Sequence, residues 1–312
     1  MNPREWALVA FTLLMQTSVG VLLVVVALQP FVSRGPMHAS ARPFDLPLLI
    51  AGTAAVLALL ASLSHLGHPL QAWLALTNVR TSWLSREVVL AVLFACAGAM
   101  FTALVRSESG SAVVRGVVCV LAVVLGVAAV FAMSRLYMVP AQPGWNRVTT
   151  PVTFFATTLL IGSVVVIAIL VSQPVDLASP GLKAGTYMEL GVGTYTELGP
   201  GPYGGVTGPL VLIAIALLAM QVLLIPAHLA ALVREPAAAI SAGSVGHAAT
   251  WLAAARALAA VAAIVLLVGM LRGMPGALSP AAAGIATLVL VFVSELLGRV
   301  LFYASSVHLG PV

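Results

Sequence analysis

Two side chains that can move protons stand at the ends of neighbouring apolar runs. His65 lies at the end of the apolar run 46–66, and Glu87 comes directly before the run 88–105. If both runs cross a membrane as helices, successive crossings reverse direction, so His65 and Glu87 face each other at one interface. A neutral imidazole can accept a proton, and a partly desolvated carboxylate can pass it on to water. This pair suits the removal of protons from a lipid-soluble quinol at the edge of the bilayer.

Other groups at the same interface could hold the quinol ring. An arginine, Arg86 or Arg135, could bind the quinone oxygen electrostatically, and aromatic side chains could form a flat apolar slot. With His65 and Glu87 as the catalytic pair, the predicted quinol-binding residues are Ser64, His65, Trp83, Arg86, Glu87, Arg135 and Tyr137. A histidine or tryptophan at a helix end is also typical of an ordinary side chain at the membrane surface, and this interpretation stays open.

The composition places these residues in a membrane protein. Hydrophobic residues make up 61% of the chain and charged residues only 7%, against roughly 25% charged in soluble domains. Because so few charges cannot cover a globule in water, the outer surface must face lipid. The formal charge is +5, but the basic residues are scattered singly between apolar runs. A nucleic-acid-binding surface is therefore excluded.

Eight apolar runs have the length that a helix needs to cross a bilayer. The predicted spans are 6–32, 46–66, 88–105, 116–133, 151–171, 208–226, 251–271 and 279–302. The runs are continuously apolar and do not alternate, which favours helices over a β-barrel. The first run is too long for the core of a signal peptide and is expected to stay in the mature protein. We expect an all-α polytopic transmembrane bundle, with residues 1–312 as a single transmembrane domain.

Eight spans place both chain ends on one membrane face, which we call face A, together with the connections after spans 2, 4 and 6. Basic residues are divided almost evenly, eight on face A and six on the opposite face, so charge does not assign the orientation. Glu295 and Arg299 are spaced i,i+4 and are predicted to form a structural ion pair that keeps the last span neutral. The Gly/Pro-rich segment 173–206 is predicted to be a long extramembrane loop on the opposite face.

Redox cofactors and metals are not expected within the chain itself. Cys96 and Cys119 lie in the middle of spans 3 and 4 and are too few for an iron–sulfur cluster. A membrane cytochrome would place paired histidines inside facing helices, whereas the six histidines here lie at span ends or in loops. The sequence thus predicts a haem-free bundle without a metal site. Electrons taken from a quinol would have to pass to a cofactor on another polypeptide docked on face A.

Three sequence runs, HLGHPLQAWLALTNVRTSWLSRE, YMVPAQPGWN and SELLGRVLFY, resemble those of the membrane anchor subunit of dimethyl sulfoxide reductase. The positions that this family uses for menaquinol binding and oxidation fall on His65 and Glu87. The resemblance implies an anchor in the cytoplasmic (inner) membrane of a prokaryote that oxidises menaquinol or ubiquinol in anaerobic respiration. It also implies two partners, a molybdopterin catalytic subunit that selects the terminal substrate and an iron–sulfur electron-transfer subunit.

Two alternatives remain at this stage. A polytopic transporter also has many spans, but transporters usually carry internal repeats and helices broken at the membrane midplane. A related anchor that couples quinone chemistry to proton pumping would need ionisable residues along the bundle. The middle positions of the spans are mostly Val, Leu and Ala, and Glu295 lies near face A. We therefore expect quinol oxidation without conformational proton pumping.

Overall fold

The computed structural model describes residues 3–32, 43–65, 77–139, 145–173, 204–233, 244–273 and 278–304. These residues form eight helices, all long and apolar enough to cross a bilayer. The helices are α1 (Pro3–Val32), α2 (Asp45–His65), α3 (Trp83–Arg106), α4 (Ala112–Tyr137), α5 (Thr149–Ser172), α6 (Gly204–Val233), α7 (Ser244–Leu271) and α8 (Pro280–Ala304). The predicted fold class, an all-helical bundle of a multi-pass membrane protein, is confirmed.

Two helices form the centre of the bundle. Within their most apolar stretches, 78% of α1 and 83% of α5 are buried, against 22% of α3 and 28% of α7. Helix α5 packs against α1, α4, α6 and α8, and α1 also packs against α2. The outer helices present valine and leucine side chains on their exposed surfaces. These surfaces need no polar residues, because lipid tails are as apolar as the protein core.

The two central helices touch at a pair of glycines, Gly20 of α1 and Gly162 of α5. A Cβ atom on Gly20 would lie 1.9 Å from the carbonyl oxygen of Thr158, and one on Gly162 would lie 2.2 Å from the carbonyl carbon of Gly20. Only hydrogen fits at either position. Helices in a membrane associate largely by close van der Waals packing, and small residues allow their backbones to approach. This glycine pair therefore sets the spacing of the bundle's centre.

Helices α3 and α4 begin earlier than the apolar pattern predicts. Ser82 caps α3 by accepting a hydrogen bond from the Ser85 amide at 3.3 Å, and Ser111 caps α4 by accepting one from the Val114 amide, also at 3.3 Å. A serine cap satisfies an amide that the helix leaves unpaired, so the helix can start outside the apolar run. Glu87, predicted just before span 3, consequently lies within α3.

The predicted loop at 173–206 falls mostly outside the described residues, which resume with α6 at Gly204. Helix α5 ends at Ser172, one residue beyond the predicted end of the fifth span at position 171. The assignment of the whole chain to a single transmembrane domain stays a prediction.

Replacing Gly162 by alanine should destabilise the protein. The added methyl group would force α1 and α5 apart, and overpacking of this kind costs about 1–3 kcal/mol. Thermal unfolding of the detergent-solubilised protein measures the loss. Gly98→Ala is the matched control, because a Cβ on Gly98 meets no atom within 4 Å. Equal melting temperatures for the two variants would contradict the close contact.

Candidate functional site

Glu87 lies at the face A end of α3 and is nearly fully buried, with 2% of its surface exposed. A buried carboxylate inside a membrane span is costly, so such residues usually serve a function or pair with other polar groups. The Glu87 carboxylate is within electrostatic range of the hydroxyl groups of Tyr137 on α4 and Tyr303 on α8.

Trp83 forms the centre of a positively charged patch beside Glu87. The guanidinium carbon of Arg86 lies 4.3 Å from the centre of the Trp83 ring, and that of Arg135 lies 5.3 Å from it. The ring also meets Phe131 edge-on at 6.0 Å. Cation–aromatic contacts of this kind hold the two charges at the membrane surface, and no described carboxylate forms an ion pair with either arginine. The structure thus brings together three of the predicted quinol-binding residues.

Arg86 also has a local structural role. Its Nε donates to the carbonyl oxygen of Val79 at 2.8 Å, and its Nη2 donates to that of Arg80 at 2.6 Å. These bonds tie the turn before α3 to the first turns of the helix. Arg135 has more N–H donors available. Its one hydrogen bond among the described residues is a weak one, from Nη1 to the sulfur of Met138 at 3.6 Å. Arg135 is therefore the better placed of the two to meet a ligand.

Tyr137 is buried in an aromatic cluster at the face A end of the bundle. Its hydroxyl shares a hydrogen bond with the hydroxyl of Tyr303. The cluster, which we call the tyrosine cluster, consists of Tyr137, Trp145, Phe154, Phe302 and Tyr303. The indole nitrogen of Trp145 donates to the carbonyl oxygen of Phe302 at 2.8 Å. Through these contacts the end of α4, the start of α5 and the end of α8 are joined.

The other half of the predicted catalytic pair is less fully described. Helix α2 ends at His65 and packs against α3, so both helix ends belong to the same side of the bundle. The His65 side chain lies outside the described residues, so its approach to Glu87 stays a prediction. The hydroxyl of Ser64 donates to the carbonyl oxygen of Ala61 at 2.8 Å within its own helix and is exposed. That bond does not direct Ser64 toward Glu87.

The ion pair predicted between Glu295 and Arg299 is replaced by other partners. The guanidinium that pairs with Glu295 is that of Arg256, with 3.9 Å between Nη2 and Oε1, and Thr157 donates to Oε2 at 2.6 Å. Arg299 instead donates to Oε1 of Gln16 at 2.6 Å. The i,i+4 spacing places two side chains on one helix face, but both are buried and turn toward neighbouring helices. A buried charge needs several polar partners, and those helices supply them.

Polar residues inside the spans form contacts that the sequence did not predict. Gln16, Gln221 and Arg256 are buried or half-buried and take part in this hydrogen bonding. Single glutamines inside apolar runs were the available signal, because an amide in lipid needs a partner. Among the described residues, no group of three or more His, Cys, Asp or Glu side chains is placed to bind a metal ion.

Comparison with known proteins identifies relatives of this protein. Residues 1–305 match the family described as "DMSO reductase anchor subunit (DmsC)". The sequence is 29% identical over 172 residues to YnfH, a subunit of an anaerobic dimethyl sulfoxide reductase of Escherichia coli, covering 54% of this protein and 58% of the relative. It is 30% identical over 166 residues to a second anaerobic dimethyl sulfoxide reductase subunit of the same organism, covering 51% and 55%. The corresponding subunit of Haemophilus influenzae is 25% identical over 168 residues, covering 54% and 59%.

These alignments span somewhat more than half the length of the curated relatives. No solved structure matches the protein.

The partner assignment of Glu295 can be tested with double-mutant cycles. We expect a larger coupling energy between Glu295→Gln and Arg256→Met than between Glu295→Gln and Arg299→Met, because Arg256 is the described arginine within ion-pair distance of Glu295 and Arg299 acts on it from farther away. Breaking a buried pair from one side typically costs about 3–5 kcal/mol. Unfolding of each single and double variant in detergent gives the coupling energies. A larger coupling energy with Arg299 would contradict the Arg256 ion pair and support the Glu295–Arg299 pair predicted from the sequence.

Proposed function

This protein belongs to the family of dimethyl sulfoxide reductase anchor subunits, and we propose that it is the quinol-oxidising membrane subunit of a multi-subunit oxidoreductase. The observation that carries the proposal is the position of Glu87. A buried carboxylate lies at the face A end of α3, one turn after Trp83, on which the cationic patch is built. A buried proton acceptor at the edge of a membrane suits a lipid-soluble proton and electron donor.

The proposed reaction oxidises a quinol to a quinone, with the loss of two electrons and two protons. His65 accepts a hydrogen bond from one quinol hydroxyl and then takes its proton. Glu87 takes up a proton and passes it to the water at face A. The quinone ring lies against Trp83, and Arg135 donates to a ring oxygen as the charge changes.

The electrons leave this subunit for partner subunits. The curated relatives are named as parts of anaerobic dimethyl sulfoxide reductase. By analogy, this anchor joins an iron–sulfur subunit, which accepts the electrons, and a molybdopterin subunit, which reduces the terminal acceptor. The partners dock on face A, where Glu87 lies, because electron transfer requires short distances. The quinol is menaquinol or ubiquinol, and the complex resides in the cytoplasmic membrane of a prokaryote.

Glu87→Gln should slow quinol oxidation in the assembled complex about 100-fold or more, which is the usual range for removal of a positioned acid–base group. The amide keeps the size of the side chain and removes the proton acceptor. Reduction of the partner's iron–sulfur clusters by added quinol gives the rate, and His65→Ala should show the same loss.

Glu108→Gln is the matched control for this substitution. Glu108 is exposed in the connection between α3 and α4, on the face opposite face A. Its variant should oxidise quinol at the wild-type rate. An intact Glu87→Gln complex with undiminished quinol oxidation would place the reaction elsewhere.

If the proposed iron–sulfur and molybdopterin subunits bind this protein, they should accompany it on purification. After gentle solubilisation of native membranes, it should elute with molybdenum and iron in stoichiometric amounts, measured by elemental analysis of the size-exclusion peak. The interaction should not require quinol turnover, so the Glu87→Gln variant should retain both metals. Recovery of the wild-type protein free of both metals under conditions that preserve other respiratory complexes would refute the anchor role.

A further inference from the structure

A cavity of about 110 Å³ with several charged and hydroxyl groups in its lining lies between α5, α6, α7 and α8, and Phe302 of the tyrosine cluster forms part of its wall. Threonine hydroxyls from α5 line it on one side. The charged groups that line it are Arg147, Arg256, Glu295 and Arg299. Such a polar lining is unusual inside an apolar bundle, because each polar group must find a partner there.

The cavity extends inward from face A. Thr150, Thr153 and Thr157 are spaced i, i+3 and i+7 and so share one face of α5. Thr149 is exposed at the start of α5. Thr157 lies eight residues further along, which is about 12 Å along the helix axis. The inner end is closed by Glu295, which accepts a hydrogen bond from Thr157. The cavity therefore connects the membrane surface with the interior of the bundle.

Within the described part of the chain, two buried polar atoms at the inner end have no hydrogen-bond partner, Nε2 of Gln221 and Oε1 of Glu295. Both side chains line the cavity, and only 3% of Gln221 and 2% of Glu295 is exposed. An unsatisfied buried group costs about 1–3 kcal/mol. A water molecule needs only about 10–15 Å³ of a polar cavity, so there is room for several. Water in the cavity would satisfy both the amide donor and the carboxylate acceptor.

The lining carries an excess of positive charge. Arg256 pairs with Glu295, so among the described buried residues of the lining the charge without a carboxylate partner is that of Arg299, and the exposed Arg147 lies at the mouth. Arg256 donates to Oε1 of Gln221, and Arg299 donates to Oε1 of Gln16, so two of the cations are held by neutral amides. Neutral acceptors do not cancel charge. In surroundings of low dielectric constant, this excess attracts an anion strongly.

We propose that the cavity is a water-filled binding site for an oxyanion that enters from face A. The guanidinium groups and the unpartnered Gln221 amide donate to the anion, and water bridges it to Glu295. The anion is a phosphate group, supplied either by the headgroup of an acidic lipid or by free phosphate. This site goes beyond the proposed quinol oxidation and uses neither His65 nor Glu87.

Cysteine labelling tests the water-filled cavity. In a Cys96→Ala/Cys119→Ala background, Thr153→Cys places a thiol in the cavity, and Val152→Cys is the matched control because the adjacent Val152 side chain is 45% exposed on the outer surface. The protein is labelled in nanodiscs, with its partner subunits where they accompany it, by methanethiosulfonates that carry either a sulfonate or a trimethylammonium group.

After correction for reactivity with a free thiol, the sulfonate reagent should modify Thr153→Cys at least about tenfold faster than the trimethylammonium reagent, because a cavity of one charge sign concentrates the opposite sign. The preference should fall when Arg256→Gln is added. Modification of Thr153→Cys no faster than that of Val152→Cys would overturn the water-filled cavity. Equal rates with the two reagents would overturn its attraction for anions.

The anion itself is identified by protection. Nanodiscs of phosphatidylcholine alone are compared with the same nanodiscs plus inorganic phosphate, and with nanodiscs that contain phosphatidylglycerol. Slower labelling with phosphatidylglycerol alone assigns the site to a lipid headgroup, and slower labelling with phosphate assigns it to the free anion. Unchanged labelling in both would overturn oxyanion binding. Labelling does not depend on quinol turnover, so a failure here is distinguishable from a failure of the proposed function.

Discussion

The glycine contact between α1 and α5 is the constraint on which the interior of this bundle depends. Gln16 lies one turn before Gly20, and its amide nitrogen donates to the carbonyl oxygen of Phe154 on α5 at 2.7 Å. Its amide oxygen accepts from Arg299 of α8 at 2.6 Å. One glutamine thus links three helices, which is possible only because the glycines let α1 and α5 approach so closely. A wider spacing would separate Gln16 from Phe154.

The buried charged residues of α8 also contact the two central helices, α1 and α5. Arg299 donates to Gln16 and lies with its guanidinium carbon 3.8 Å from the centre of the Phe154 ring, so an amide and an aromatic face hold its charge. Glu295, one turn earlier on α8, is held by Thr157 of α5 and Arg256 of α7. Both of these buried ions therefore have partners on other helices. Charges in a membrane interior are costly without such partners, so these contacts also specify which helices are neighbours.

The sequence was informative about the face at which the site residues lie and less so about their contacts. Trp83, Arg86 and Arg135 were expected at one interface, and the structure brings them together by stacking both guanidinium groups on the indole ring. The bonds of Arg86 to the preceding turn could not be foreseen, since they depend on the path of a loop. Tyr303, the partner of Tyr137, was missed because 166 residues separate the two in the sequence.

What the sequence by itself determined is the number of spans, their approximate bounds and the membrane face of the polar groups at the span ends. These follow from the length of each apolar run and from the reversal of direction at every crossing. Only the tertiary structure decided which side of each helix is buried, that Glu295 meets Arg256 in place of Arg299, and that the threonines of α5 line a cavity. The physical reason is that lipid is as apolar as the protein core, so these helices are apolar on all sides and their sequences carry little information about which face packs inward.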